Sequence, residues 1–124
     1  MFKILVVDDD HMICEMLKLM LTHKGYLPFI SNKPDQTVDN VLDSAIDLLI
    51  LDQFIFGVSG MAVCKELKEN QLTAHLPILM MSADNEIKSE CLAAGATDFI
   101  AKPFDMKELF LKIETILMDV SIDK

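Results

Sequence analysis

Four apolar runs stand in this sequence with no polar residue inside them: Ile4-Leu5-Val6-Val7, Leu48-Leu49-Ile50-Leu51, Ile78-Leu79-Met80-Met81 and Phe99-Ile100-Ala101. A strand that alternates apolar and polar residues keeps one wet face, whereas continuous runs need cover on both faces. Helices on either side of a parallel sheet supply that cover. Each run also leads into residues with chemistry to offer, in order Asp8 and Asp9, Asp52, Ser82 and Lys102. In such sheets the carboxyl ends of the strands open on one edge, where these folds bind ligands. The four ends are therefore expected to meet. Three acids, a hydroxyl and an ammonium in a small volume make a site for a divalent cation and a phosphoryl group.

Strands are predicted near residues 3 to 7, 26 to 30, 47 to 51, 77 to 81 and 97 to 101, with helical spacing between them. The first helix carries Ile13, Met16, Leu17, Met20 and Leu21 and is stopped by Gly25. The second carries Val38, Val41, Leu42 and Ala45 behind Pro34, which suits a first turn. Ser59 is a good N-cap for a third helix that buries Val63, Cys64 and Leu67. A fourth, from about 85 to 94, offers only Ile87, Cys91, Leu92 and alanines, so it is the most weakly anchored. The last, from about 105 to 118, turns Met106, Leu109, Phe110, Ile113 and Leu117 inward and leaves Leu111 and Met118 on another face. Pro28 breaks the hydrogen-bond ladder of the second strand and places that strand at an edge. The expected architecture is α/β: a doubly wound, five-stranded parallel sheet of order 2-1-3-4-5 with five helices, the flavodoxin-like topology.

A chain of 124 residues fits one domain, 1–124, and can bury a core without disulfides. No apolar run approaches the roughly 20 residues of a membrane span, and the first residues lack the pattern of a cleaved leader. A cytoplasmic protein is expected. Cys14, Cys64 and Cys91 are odd in number and widely spaced, which reads as small core residues in a reducing compartment. Eleven basic against twenty acidic side chains give a formal charge of −9, which excludes nucleic-acid binding by this domain alone. The polar end, Asp119 to Lys124, suits a lead into a linker.

Asp8, Asp9 and Asp10 taken alone would suit the dipole of a helix N-terminus. Asp52 at the neighbouring strand end changes that reading. Like charges about 4 Å apart repel by roughly 4 kcal/mol at an effective dielectric of about 20, so clustered carboxylates call for a cation. Few, hard oxygen ligands with room for water favour Mg²⁺. Lys102 alone would be a solvated lysine, and Ser82 alone a turn residue. At adjoining strand ends the first faces the carboxylates, and the second can donate to a phosphoryl oxygen.

These residues resemble the receiver domain of two-component response regulators. The resemblance runs through Val7-Asp8-Asp9-Asp10, Leu51-Asp52, Gly57-Val58-Ser59-Gly60-Met61, Met81-Ser82-Ala83, Ala94-Gly95-Ala96 and Lys102-Pro103-Phe104, over nearly the whole chain. It implies phosphotransfer onto Asp52 from a histidine kinase or a histidine phosphotransfer protein, in a signalling domain rather than an enzyme. Asp9 and Asp52 are then direct Mg²⁺ ligands, Asp8 acts mainly through water, and the Phe54 carbonyl completes the protein's share. Ser82 and Lys102 bind the transferred oxygens. Phe99 falls at the aromatic switch position, although an edge-strand core aromatic reads the same way. The Lys102-Pro103 bond is expected to be cis. Output would pass through helix 4, strand 5 and helix 5 to a partner or to an output domain outside this chain.

The chain departs from the family pattern after Asp52. Phe56 stands where a proline is common, and Ser59 where an aspartate is common. Phe54 is bulky for its position and is expected to hinder the water that hydrolyses an aspartyl phosphate. The stretch Gln53-Phe54-Ile55-Phe56 reads either as half-buried loop packing or as a docking patch. Three alternatives stay open. A pseudo-receiver would bind protein without phosphorylation. A haloacid dehalogenase-type phosphatase would use Asp8 and Asp10 as its Asp-x-Asp pair. A flavodoxin-like cofactor binder would want a phosphate loop where three aspartates stand.

Overall fold

A computed structural model describes residues 1–123. In chain order the elements are β1 (Lys3–Val7), α1 (His11–His23), β2 (Leu27–Ser31), α2 (Thr37–Ser44), β3 (Leu48–Asp52), β4 (Phe54–Ile55), β5 (Val58–Ser59), α3 (Gly60–Glu69), β6 (Ile78–Ser82), α4 (Lys88–Ala93), β7 (Asp98–Ala101) and α5 (Met106–Asp123). The main sheet is parallel with order β2-β1-β3-β6-β7, the predicted order once the short hairpin β4–β5 is set aside. Pro28 does sit in an edge strand.

The continuous apolar runs are explained by two cores, one on each face of the sheet. Leu5, Val7, Leu49, Leu51, Ile78, Met80 and Phe99 point to one, which Val41 of α2, Val63 and Leu67 of α3 and Cys91 of α4 close. Ile4, Val6, Leu48, Ile50, Leu79, Met81 and Ile100 point to the other, closed by Leu17 and Leu21 of α1 and by Leu109, Ile113 and Leu117 of α5. Adjacent residues of one strand thus serve opposite cores, and each fully buried side chain of this size contributes about 1.5–3 kcal/mol. All three cysteines are buried and unpaired. Burial pushes the Cys14 and Cys64 thiols up to about 11, so both are packing residues rather than nucleophiles.

Several boundaries differ from the sequence reading. β2, β3, β6 and β7 are each displaced one residue later at their starts, so Asp52 and Ser82 are the last residues of their strands rather than the first beyond them. Apolar character ends before the ladder does, because main-chain pairing continues through a polar residue. Pro34 opens a separate 3₁₀ turn ahead of α2, Ala45 takes a left-handed conformation as the C-cap of α2, and Leu42 faces outward. Met16 and Leu92, assigned inward by spacing, are also exposed, while Ile116, not anticipated, is buried. The fourth helix is a 3₁₀ turn at Asn85–Ile87 followed by only six α-helical residues, anchored by buried Cys91. α5 continues to Asp123, so the stretch expected to lead into a linker is helical from Asp119 to Asp123, and Lys124 lies outside the described residues. Among the described residues no helix is long and apolar enough to cross a membrane.

Candidate functional site

The acidic triplet divides its labour. Asp10 is the N-cap of α1, its carboxylate accepting from the Met12 and Ile13 N–H groups at 3.0 and 3.2 Å. It faces the helix, which removes the Asp-x-Asp pairing that a phosphatase of the haloacid dehalogenase type would need. Asp8 is buried, with Oδ1 accepting from the Asp10 N–H at 2.9 Å and Oδ2 from Lys102 Nζ at 3.0 Å. Asp9 is exposed, and its Oδ2 accepts from the main-chain N–H of Phe56 at 2.9 Å.

Asp52 ends β3 in the centre of the sheet, paired with Met81 of β6 and only 8 % exposed. Its backbone is pressed against the start of α3. The Gly60 N–H donates to the Gln53 carbonyl at 2.6 Å, and a Cβ on Gly60 would stand 2.2 Å from the Asp52 carbonyl oxygen and 2.9 Å from Gln53 Cα. Both neighbours are main chain and cannot swing away. Gly60→Ala is therefore expected to cost about 3 kcal/mol, the upper part of the range for overpacking, and to lower the melting temperature by roughly 10 °C. An unchanged thermal melt would mean that the β3 end yields freely.

Lys102 follows β7, its N–H donating to the Ser82 carbonyl at 2.8 Å, and the Lys102-Pro103 bond is cis as expected. Its ammonium lies 3.0 Å from Asp8 and 3.1 Å from Asp52, bridging the two buried acids. Ser82, also buried, accepts from the Asp84 N–H at 3.0 Å, and its own O–H remains able to donate. Phe99 is 5 % exposed and belongs to the core beneath α4.

Burial, then the Asp8 charge, push the Asp52 carboxyl above the ordinary aspartate range, and Lys102 draws it only partly back. Burial alone would lower Lys102, but Asp8 and Asp52 together hold it above the ordinary lysine range. Lys102 therefore stays charged, and the cluster stays one cation short of balance. One carboxylate oxygen from each of Asp8, Asp9 and Asp52 can be chosen so that all lie within 4.8 Å of one another, an arrangement able to hold a metal ion. The donor set is all oxygen and carries three negative charges against one ammonium, which fits a hard divalent cation. A polar cleft of about 420 Å³, bordered by Asp8, Asp9, Ser31 and Lys33, opens on one side. An apolar cleft of about 400 Å³, lined by Ile13, Met16, Ala83, Lys102, Pro103 and Phe104, opens on the other.

The sequence-predicted residues Asp8, Asp9, Asp52 and Lys102 are thus brought together, with Ser82 on the adjoining strand end. Phe54 lies at the start of the hairpin and is 62 % exposed. The main-chain donor at Phe56 and the tight packing at Gly60 were not foreseen. Phe54, Ile55 and Phe56 are all apolar, so no alternation in the sequence marked the hairpin, although Ile55 is fully buried and both phenylalanines are exposed. Phe56 and Gly57 at its tip have φ of +48° and +80°. A bulky residue held in the left-handed region costs about 1–3 kcal/mol.

The sequence matches the family described as "Response regulator receiver domain" over residues 4–114. It is 34 % identical over 119 residues to the response regulator ArlR of Staphylococcus epidermidis, covering 94 % of this chain and 53 % of that protein. The chain spans about half the length of the curated relatives it matches. Among solved structures, a putative response regulator from Chloroflexus aurantiacus superposes with a TM-score of 0.88 at 34 % identity, over 94 % of this chain and 98 % of that one. TrrA of Thermotoga maritima, a response regulator solved in complex with Mg²⁺ and BeF, gives 0.84 at 29 % identity, over 94 % and 99 %.

Proposed function

This chain belongs to the response regulator receiver family, and from that premise we propose that Asp52 accepts a phosphoryl group from a phosphohistidine, on a histidine kinase or a histidine phosphotransfer protein. The observation that carries the reading is the convergence of Asp52, Asp8 and Asp9 on one point, with Lys102 3.1 Å from the acceptor carboxylate. The cation would be Mg²⁺, which Asp9, Asp52 and the Phe54 carbonyl would hold, with Asp8 acting mainly through water. The TrrA structure with Mg²⁺ supports that choice. Bound there, Mg²⁺ supplies the positive charge that lets an anionic phosphoryl group approach an anionic carboxylate.

The chain's own residues do the rest. An Asp52 carboxylate oxygen forms the new bond to phosphorus as the bond from phosphorus to the donor imidazole nitrogen breaks. Lys102 donates to one transferred oxygen and the Ser82 hydroxyl to another, each fixed beforehand by its strand end. The three acids and Lys102 sum to −2, so the free site repels a phosphate and the loaded site accepts one. Phosphorylation adds about −1.5 to −2 charge. The response is a shift of Ser82 toward the new oxygens, passed through the β6–β7 ladder to Phe99 and to the six-residue α4. Output runs from α4, β7 and α5 to a partner protein or an attached output domain, with no nucleic acid bound by this domain itself.

Intact mass after incubation with phosphoramidate is expected to show one added phosphoryl group in Mg²⁺ and none in EDTA, removable by hydroxylamine as an acyl phosphate should be. An unmodified mass with every small donor would favour the pseudo-receiver, and binding through Phe54 and Phe56 would replace phosphotransfer.

A further inference from the structure

The turn Ile55-Phe56-Gly57-Val58 joins β4 to β5 with positive φ at both central residues. That geometry suits Asn-Gly and disfavours a bulky aromatic at the first position. Burial of the ring does not hold Phe56 there, because the residue is 66 % exposed. Its main chain is held instead: the Phe56 N–H donates to Asp9 Oδ2 at 2.9 Å, across 47 residues of sequence. Asp9 has need of such a tether. Lys102 bridges Asp8 and Asp52 from within the fold, whereas the Asp9 side chain reaches the cluster from an exposed residue.

An exposed carboxylate loses rotamer freedom when it takes a cation, and a donor that orients it beforehand lessens that loss. Partners behind a metal ligand commonly change affinity by tenfold or more. We infer that the Phe56 main-chain N–H is a positioning group that presets Asp9 for the divalent cation, so that the conformation of the β4–β5 hairpin sets how tightly the site binds it. Proline at this position could not serve, since it has no N–H and its φ is fixed near −65°. This inference rests on the reading of the acidic cluster as a Mg²⁺ site.

The test is calorimetric titration of Mg²⁺ into the full chain, for wild type, Phe56→Pro, Phe56→Gly and a chain in which the amide N–H of residue 56 is replaced by an ester oxygen. Phe56→Pro and the ester are expected to raise the dissociation constant about tenfold. Phe56→Gly keeps the donor and adopts positive φ without strain, so it is expected to bind as wild type does. In ¹⁵N spectra of wild type, the Phe56 amide resonance is expected to shift along the Mg²⁺ titration with the calorimetric midpoint. The ester isolates the donor even where Phe56→Pro disturbs the turn. Ester and wild type binding equally would overturn the inference while leaving the metal site intact. Phe56→Gly binding as weakly as the ester would assign the effect to the ring and overturn it as well. Wild type that takes up no Mg²⁺ would overturn the metal-site reading, and this inference with it.

Discussion

Asp52→Asn is expected to abolish phosphoryl uptake completely and, in EDTA, to make the fold more resistant to heat. The two effects come from one property of the site. Asp52 is buried beside Asp8, and the raised range of its carboxyl means that the folded chain disfavours its charge. Wherever the carboxylate is charged, folding works against burial and repulsion at this position. Asparagine keeps the shape and removes the charge. The gain is expected to appear as a rise of a few degrees in melting temperature. The sign with pH follows from the same property. Folded Asp52 holds its proton more tightly than unfolded Asp52 does, so this group's contribution falls as pH rises from the ordinary aspartate range through the folded value, then levels off. Melting curves across that range, in EDTA, are expected to show a smaller decline for Asp52→Asn than for wild type. A variant that melts below wild type at neutral pH would mean that the bond to Lys102 outweighs the repulsion.

Lys102→Met is expected to cost as much stability as Gly60→Ala. It removes the cation that lies 3.0 Å from Asp8, whose side chain is fully buried, and 3.1 Å from Asp52. Breaking one partner out of a buried charge pair typically costs about 3–5 kcal/mol. Lys102 keeps some contact with solvent, so the lower end, about 3 kcal/mol, is expected, equivalent to roughly 10 °C in the thermal midpoint. Saturating Mg²⁺ is expected to recover much of that loss, because a divalent cation answers the same two carboxylates. The Mg²⁺-induced rise in melting temperature should therefore be larger in the variant than in wild type. Equal rises would show that Lys102 and the cation neutralise different charges. Phosphoryl uptake in the variant is expected to be slow even when the fold is restored, if Lys102 donates to a transferred oxygen as proposed.

The sheet and most of the site were legible because both rest on long-range consequences of simple patterns. Runs such as Leu48 to Leu51 require cover on both faces, and that requirement selects a parallel sheet. The sheet in turn brings Asp8, Asp52, Ser82 and Lys102 to one edge. Pro28 was enough to put β2 at the margin. Less legible were features decided by a few local atoms. Nothing in three consecutive aspartates says which one turns back to cap α1 and which two face the cluster. The β4–β5 hairpin is two residues a side, too short for a periodic signal, and Phe-Gly is not a pair that advertises a tight turn. Gly60 reads as an ordinary loop glycine until the Asp52 carbonyl is seen in the space a side chain would fill. Helical spacing placed Met16, Leu42 and Leu92 inward, but each lies at the border of its apolar stripe, where packing of neighbours decides the outcome.

Pro28 has a consequence beyond marking the order of strands. β2 is a sheet margin with Leu27 and Ile30 both partly open to solvent. An apolar, unpaired margin is a template on which another chain can extend the sheet and begin to aggregate. A proline at the second position of the strand, residue 28 of 27 to 31, interrupts the row of donors that an added strand would need. The residue that gives away the position of β2 is thus also a safeguard of solubility, keeping separate molecules from becoming one continuous sheet at high concentration.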